Sequence, residues 1–234
     1  MNKDLFVNTA KKLNIEVSTG QIEKFKKYSE LLVEKNKVMN LTSITDDDGI
    51  AIKHFIDSIL VLSLVEIPEN SKVIDVGTGA GFPGIPLKIM REDMEITLLD
   101  SLNKRITFLN EVKTALNLEK TDCVHSRAED GGKNKDLREK FDFSVSRAVA
   151  PLKILCEYDL PFVKVGGYFI AMKAADIDEE IEESRAMIGS LGGKIKEIKE
   201  ITIPDTDIKR KIVIIEKIKE TPKQFPRNPK KIGH

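Results

Sequence analysis

Residues 73–84 read Val73-Ile74-Asp75-Val76-Gly77-Thr78-Gly79-Ala80-Gly81-Phe82-Pro83-Gly84. A short apolar run that ends in glycines is a buried strand entering a tight turn. Glycine lets the backbone turn and approach a ligand without a Cβ in the way. The spacing is Gly-x-Gly-x-Gly, with Gly77 and Gly79 leading. The dinucleotide loop is Gly-x-Gly-x-x-Gly, and it places a pyrophosphate on a helix N-terminus. Asp75, two residues before Gly77, could hold an ammonium directly or through water. Asp100 ends a second apolar run, 23 residues beyond Gly77, where an acid suits two ribose hydroxyls. Ala128 and Glu129 follow a third run and offer a backbone amide and an acid to an adenine. An amino acid end, a sulfonium, a ribose and an adenine without phosphate describe S-adenosylmethionine.

These residues need elements to position them. Residues 1–65 read as helical. Ser18 and Gln21 fit a capping box, and Ile22, Phe25, Tyr28, Leu32 and Met39 follow at helical spacing. Asn40-Leu41-Thr42-Ser43 interrupts, and a second apolar helix is expected from about Ile50 to Val65. From Lys72 the pattern becomes strand–helix alternation. Strands are expected at Val73–Val76, Glu95–Leu99, Asp122–His125, Phe141–Val145 and Tyr168–Met172. Helices are expected at Asn103–Leu116, Leu152–Leu160 and Asp176–Ile188. Lys194–Ile203 and Lys211–Ile218 read as a closing antiparallel pair. The pattern predicts a doubly wound α/β fold, Rossmann-like and mostly parallel, with seven strands, an antiparallel closing strand and an N-terminal helical extension. The expected division is 1–65 helical extension, 66–220 catalytic domain and 221–234 basic tail.

The chain has 234 residues, 41% hydrophobic and 32% charged, a globular composition. The longest apolar run, Ile59–Val65, falls far short of the ~18 residues of a membrane span. The polar start Asn2-Lys3-Asp4 has no apolar signal region behind it, and a cytoplasmic protein with reduced thiols is expected. Two cysteines, Cys123 and Cys156, are too few for a disulfide framework or a four-ligand zinc site. Net charge is zero, which excludes a uniformly basic nucleic-acid binder. The distribution is uneven. Residues 1–45 carry eight basic and five acidic side chains, and residues 209–234 carry nine and two. A basic end on an acidic body suits a phosphate backbone, and equally a solvated tail.

Four segments together resemble the ribosomal RNA small subunit methyltransferase G family, also called the glucose-inhibited division protein B family. Asp75–Gly84 followed by Ile85-Pro86-Leu87 is similar to its cofactor loop. Asn40-Leu41-Thr42-Ser43 with Lys53-His54-Phe55-Ile56-Asp57-Ser58 is similar to its N-terminal signature. Leu99–Arg105 and Ser146-Arg147-Ala148-Val149-Ala150 resemble its second-strand and fourth-strand motifs. The similarity spans about residues 20–218, with Phe82 where Leu is common and Ala80 where Pro also occurs. It implies a class I S-adenosylmethionine-dependent methyltransferase acting on N7 of a guanine in 16S ribosomal RNA, in a loop near the decoding centre. S-adenosylhomocysteine is the implied product. Carried over by position, cofactor contacts fall at Gly77, Phe82, Ala128, Glu129 and Arg147.

Guanine N7 has a lone pair and no hydrogen, so a general base is not required. Alignment and charge stabilisation remain as the enzyme's tasks. The chain lacks the Asn-Pro-Pro-Tyr motif of adenine amino-methylation and the Pro-Cys nucleophile of pyrimidine methylation. No metal is expected. Arg147, at the end of the fourth strand, could hold a phosphate, the methionine carboxylate or a guanine edge. Asn40 suits a base edge for substrate positioning, or a helix C-cap. Lys104, Arg105, Lys173, Arg227, Lys230 and Lys231 are candidate RNA contacts, and Phe82 could help splay the base. His54 lies among Ile52, Phe55 and Ile56 and reads as packed, with Asp57 placed to bond to it along one helix face. The expected partner is 16S RNA or the small ribosomal subunit, with no membrane and a monomeric state. The competing readings are a methyltransferase of small molecules or proteins, and a non-enzymatic nucleotide-binding module.

Overall fold

The computed structural model describes residues 1–147 and 150–228. The chain opens with α1 (Lys3–Lys12) and α2 (Thr19–Met39). The capping box at α2 is formed. Ser18 Oγ accepts from the Gln21 N–H, and the Gln21 side chain accepts from the Ser18 N–H at 2.8 Å. Asn40 closes α2 in the left-handed region at φ 49°, as a C-cap.

The second N-terminal helix is not regular. It runs as α3 (Asp47–Gly49), a π-helical stretch (Ile50–Ile56), α4 (Asp57–Ile59) and a 3-10 turn (Leu60–Ser63). The sequence pattern gave no warning because nearly every residue from Ile50 to Val61 is buried, so no 3.6-residue stripe has to be kept. Across the chain an arginine donates to the carbonyls of Lys53 and His54 in this π-helical stretch.

Seven strands follow: β1 (Lys72–Val76), β2 (Glu95–Asp100), β3 (Thr121–His125), β4 (Phe141–Arg147), β5 (Val163–Ala174), β6 (Gly193–Thr202) and β7 (Lys209–Lys217). Their order in the sheet is β3-β2-β1-β4-β5-β7-β6. β1 to β5 are mutually parallel, and β7 runs antiparallel between β5 and β6. The order reverses between β1 and β4. That reversal opens a crevice at the strand C-termini, where ligands bind in open α/β sheets. Helices α5 (Gly84–Met90), α6 (Asn103–Ala115), α7 (Ala128–Gly131), α8 (Leu152–Asp159) and α9 (Asp178–Ser190) complete the layers. β5 begins earlier than its pattern suggests. Gly166-Gly167 does not turn the chain but sits within the strand, where the β4 register shifts between Phe141 and Phe143.

One hydrophobic cluster joins the N-terminal helices to the sheet. It contains Phe6, Phe25, Tyr28 and Phe55 with Val73, Leu98, Ile170 and Ile214. Phe6 and Phe25 are fully buried with ring centroids 4.7 Å apart. Burial of each such side chain contributes about 1.5–3 kcal/mol. A second cluster, with Leu155, Cys156, Phe169 and Val213, covers the other face under α8 and α9. No helix among the described residues is long and apolar enough to cross a membrane.

Candidate active site

The glycine loop is held from three sides. Gly77, Gly79 and Gly81 have φ of 73°, 62° and 105°. The amides of Gly77 and Thr78 both donate to the Leu99 carbonyl on β2. A Cβ on Gly81 would fall 2.7 Å from the Tyr28 hydroxyl, which itself donates to the Ala80 carbonyl at 2.5 Å. Thus a residue of α2 fixes the loop from behind. Asp75 fixes it from below: Oδ2 accepts from Thr78 Oγ1 at 2.6 Å and from the Gly84 amide at 2.8 Å. Its Oδ1 is buried with no hydrogen-bond partner. Burial pushes the Asp75 carboxyl up to about 7.

Asp100 stands at the end of β2. Its Oδ2 accepts from the Gly79 amide at 2.9 Å, its Oδ1 from the Leu102 amide, and Arg105 pairs with it at 3.1 Å. A cavity of 210 Å³ opens here between Gly77, Asp100, Arg105, Ala128, Glu129 and Tyr158. These residues fit the cofactor proposed for them. Asp100 and Glu129 face the cavity, a Cβ on Gly79 would enter open space with no atom within 4 Å, and Asp75, fully buried outside the cavity lining, keeps one oxygen without a partner among the described residues.

Phe82 is not exposed at a pocket mouth. It is 8% exposed and enclosed by rings from the N-terminal segment. His54 stacks on it with centroids 4.4 Å apart and 10° between planes, and Tyr28 lies 5.4 Å away. The Arg147 guanidinium carbon sits 5.1 Å from the Phe82 centroid, a cation–π contact. Arg147 also donates to the Lys53 and His54 carbonyls and to Asp57 at 3.2 Å. Asp57 does not bond to His54 as its spacing suggested. Its two oxygens take Arg147 and Arg210, the latter at 2.7 Å. His54 Nε2 instead meets Thr42 Oγ1 at 2.8 Å, and burial lowers its pKa to about 4. Thr42 is in turn held by the side chain of Asn36.

A larger pocket of 590 Å³ lies in front of β4 and β5. Its charged lining is Lys53, Asp57, Arg147, Lys173, Glu180 and Arg210. Of the RNA candidates expected from the sequence, Lys173 lines this pocket and the other described ones do not. Lys173 is pinned to the Ala150 carbonyl and to Glu180 at 2.6 Å. Arg105 turns to Asp100, and Lys104 reaches the Met39 carbonyl at 3.4 Å. Arg227 faces inward: its guanidinium pairs with the fully buried Glu157 at 2.7 Å, so its position in a basic stretch misleads. Asn40 is exposed at the α2 terminus. Lys230 and Lys231 lie outside the described residues, as do Ala148 and Val149 of the fourth-strand motif. The sequence did not single out Tyr28 as a loop support, Arg210 or Glu180. Each acts through a partner far along the chain, and Arg210 at the start of the closing strand was the one faint signal.

Residues 21–213 match the family model of the rRNA small subunit methyltransferase G. The chain belongs to this family. A ribosomal RNA small subunit methyltransferase G of Clostridium perfringens (strain SM101 / Type A) is 52% identical over 96% of this chain and 94% of the relative. That of Thermoanaerobacter sp. (strain X514) is 51% identical over 96% and 93%. Among solved structures, a SAM dependent methyltransferase from Aquifex aeolicus aligns with a TM-score of 0.55 at 18% identity, covering 75% of this chain and 96% of that one. M. jannaschii TYW2 in complex with AdoMet aligns with a TM-score of 0.52 at 17% identity, over 87% and 79%. These likenesses show the class I methyltransferase fold. The methyltransferase G family match takes in the glycine loop, Asp100, Arg147, Glu180 and Arg210, and stops short of Arg227.

Proposed function

We propose that this methyltransferase transfers a methyl group from S-adenosylmethionine to N7 of a guanine in 16S ribosomal RNA, in a loop near the decoding centre of the small subunit. The observation that carries the reading is a pair of cavities at the C-terminal ends of the parallel strands, one over β1 to β3 and one in front of β4 and β5. One is lined by the acids suited to S-adenosylmethionine. The other is walled by Lys53, Arg147 and Arg210.

When bound, the cofactor would supply an electrophilic methyl on a sulfonium, which the N7 lone pair could take as the C–S pair returns to sulfur, with no proton to remove. The chain's residues align and compensate charge. Asp75, buried behind the loop, would hold the ammonium through water, Asp100 would take the ribose hydroxyls, and Ala128 and Glu129 the adenine. Gly77, Gly79 and Phe82 shape the loop around the methionine end. Arg147, held by Asp57 and two carbonyls, lines the larger pocket. His54 stays neutral near pH 7. The reading extends to a monomer in the cytoplasm. Residues 1–65 serve as a helical extension, 66–220 as the catalytic domain and 221–234 as a tail.

The test is transfer from radiolabelled S-adenosylmethionine to small subunits that lack the modification, followed by nucleoside analysis. Label in N7-methylguanosine, lost on Arg147→Ala, is the expected result. Label in another nucleoside would overturn the target. No label with cofactor still bound would favour a small-molecule or protein substrate.

A further inference from the structure

The pocket in front of β4 and β5 is lined by two carboxylates, Asp57 and Glu180. Asp57 has both oxygens engaged by arginines and none to offer. Glu180 differs. Its Oε1 accepts from the Leu152 amide and from Lys173 Nζ, the ion pair at 2.6 Å. Its Oε2 takes no hydrogen bond among the described residues, and its side chain is 25% exposed. The helix beneath it is anchored by buried Ile181, Ser184 and Ile188. The carboxylate is therefore oriented at one oxygen and open at the other.

We propose that Glu180 reads the Watson–Crick edge of the target guanine, accepting hydrogen bonds from N1–H and N2–H. This rests on the guanine-N7 reading above and deepens it.

Placement supports it first. The cofactor cavity lies over β1, β2 and β3, and the sheet continues outward through β4 with Arg147 and β5 with Lys173 to Glu180. From β1 to β5 is two strand spacings, roughly 10 Å. A purine laid across that distance with N7 towards β1 turns its N1–N2 edge towards Glu180.

Chemistry supports it next. A splayed RNA base is read on its Watson–Crick edge. Guanine presents two adjacent donors there, N1–H and N2–H, and a carboxylate accepts both. Adenine presents a lone pair at N1, which a carboxylate repels. Methylation at N7 makes the base cationic and its N1–H more acidic. The hydrogen bonds to Glu180 therefore strengthen as the N–C bond forms, and they favour the transition state over the bound substrate.

The experiment compares small subunits reconstituted with guanosine or inosine at the target position, using the wild type and Glu180→Gln. Inosine keeps N1–H and loses the N2 amine. The wild type is expected to methylate the inosine substrate about tenfold to a hundredfold more slowly, the range for one lost base-edge pairing. Glu180→Gln is expected to transfer about a hundredfold more slowly to guanosine, with cofactor Kd within about twofold of wild type and the guanosine-to-inosine ratio reduced towards one. A variant that keeps the full wild-type ratio would overturn the proposal, because a merely structural glutamate would slow both substrates equally. Should Glu180→Gln lose its cofactor binding, the wild-type ratio decides: a wild type indifferent to inosine overturns the assignment without any variant. A wild type that leaves guanosine subunits unlabelled would remove the parent reading and this one together.

Discussion

Burial holds the Asp75 carboxyl near its titration midpoint at neutral pH, since its pKa is raised to about 7. A cofactor ammonium prefers the ionised carboxylate and lowers that pKa on binding. Below pH 7 the free enzyme carries the extra proton, so binding must release it. Cofactor affinity is expected to fall as pH drops from 7 to 5.5, by up to about tenfold per unit. Equilibrium binding across that range measures it, with Asp75→Asn expected to be weak and flat. A wild-type affinity that ignores pH there would remove the ammonium from Asp75. Gly77, Asp100 and Arg147 were legible in the sequence because each stands at a strand end, where an apolar run stops at a chemically active residue, and Asp75 because an acid interrupts such a run. The pairing of Asp57 with Arg210 was not legible. It joins residues 153 apart, and no local periodicity encodes it.

At the scale of elements, the strand–helix alternation was readable because each buried strand is a short apolar run between turn signals. The irregular helix was not, because a segment buried on all sides carries no stripe. Nor was the support that α2 gives to the glycine loop, a contact between residues 52 apart. Tyr28→Phe keeps the ring among Phe55 and Phe82 and removes the donor to the buried Ala80 carbonyl. The expected cost is about 1–3 kcal/mol for an unsatisfied buried acceptor. Thermal melting should fall by about 2–4 °C per kcal/mol in a chain of this size. Cofactor binding should also weaken severalfold, because the loop loses its rear anchor. Unchanged binding in a folded Tyr28→Phe would separate α2 from the cofactor.

Over the whole molecule, charge is less available than composition suggests. In the basic stretch from 209 onwards, Arg210, Lys211, Lys217 and Arg227 all form ion pairs within the chain, that of Lys211 with the exposed Asp178. Arg227→Gln is therefore expected to cost about 3 kcal/mol by leaving a buried carboxylate poorly compensated. It should leave the salt dependence of RNA binding unchanged. Lys104→Ala should do the reverse, reducing the slope of log affinity against log salt by about 0.7–0.9 with little change in melting. A shallower slope in Arg227→Gln would return that residue to the RNA interface. The hydrophobic cluster that runs from Phe6 to Ile214 has a historical consequence. Helices that shared no side chains with the sheet could be traded between genes by recombination. Here an exchange at the α4–β1 junction would leave Phe25, Tyr28 and Phe55 facing a foreign surface and the glycine loop without its hydroxyl. The two parts can change only by substitutions that keep pace with each other.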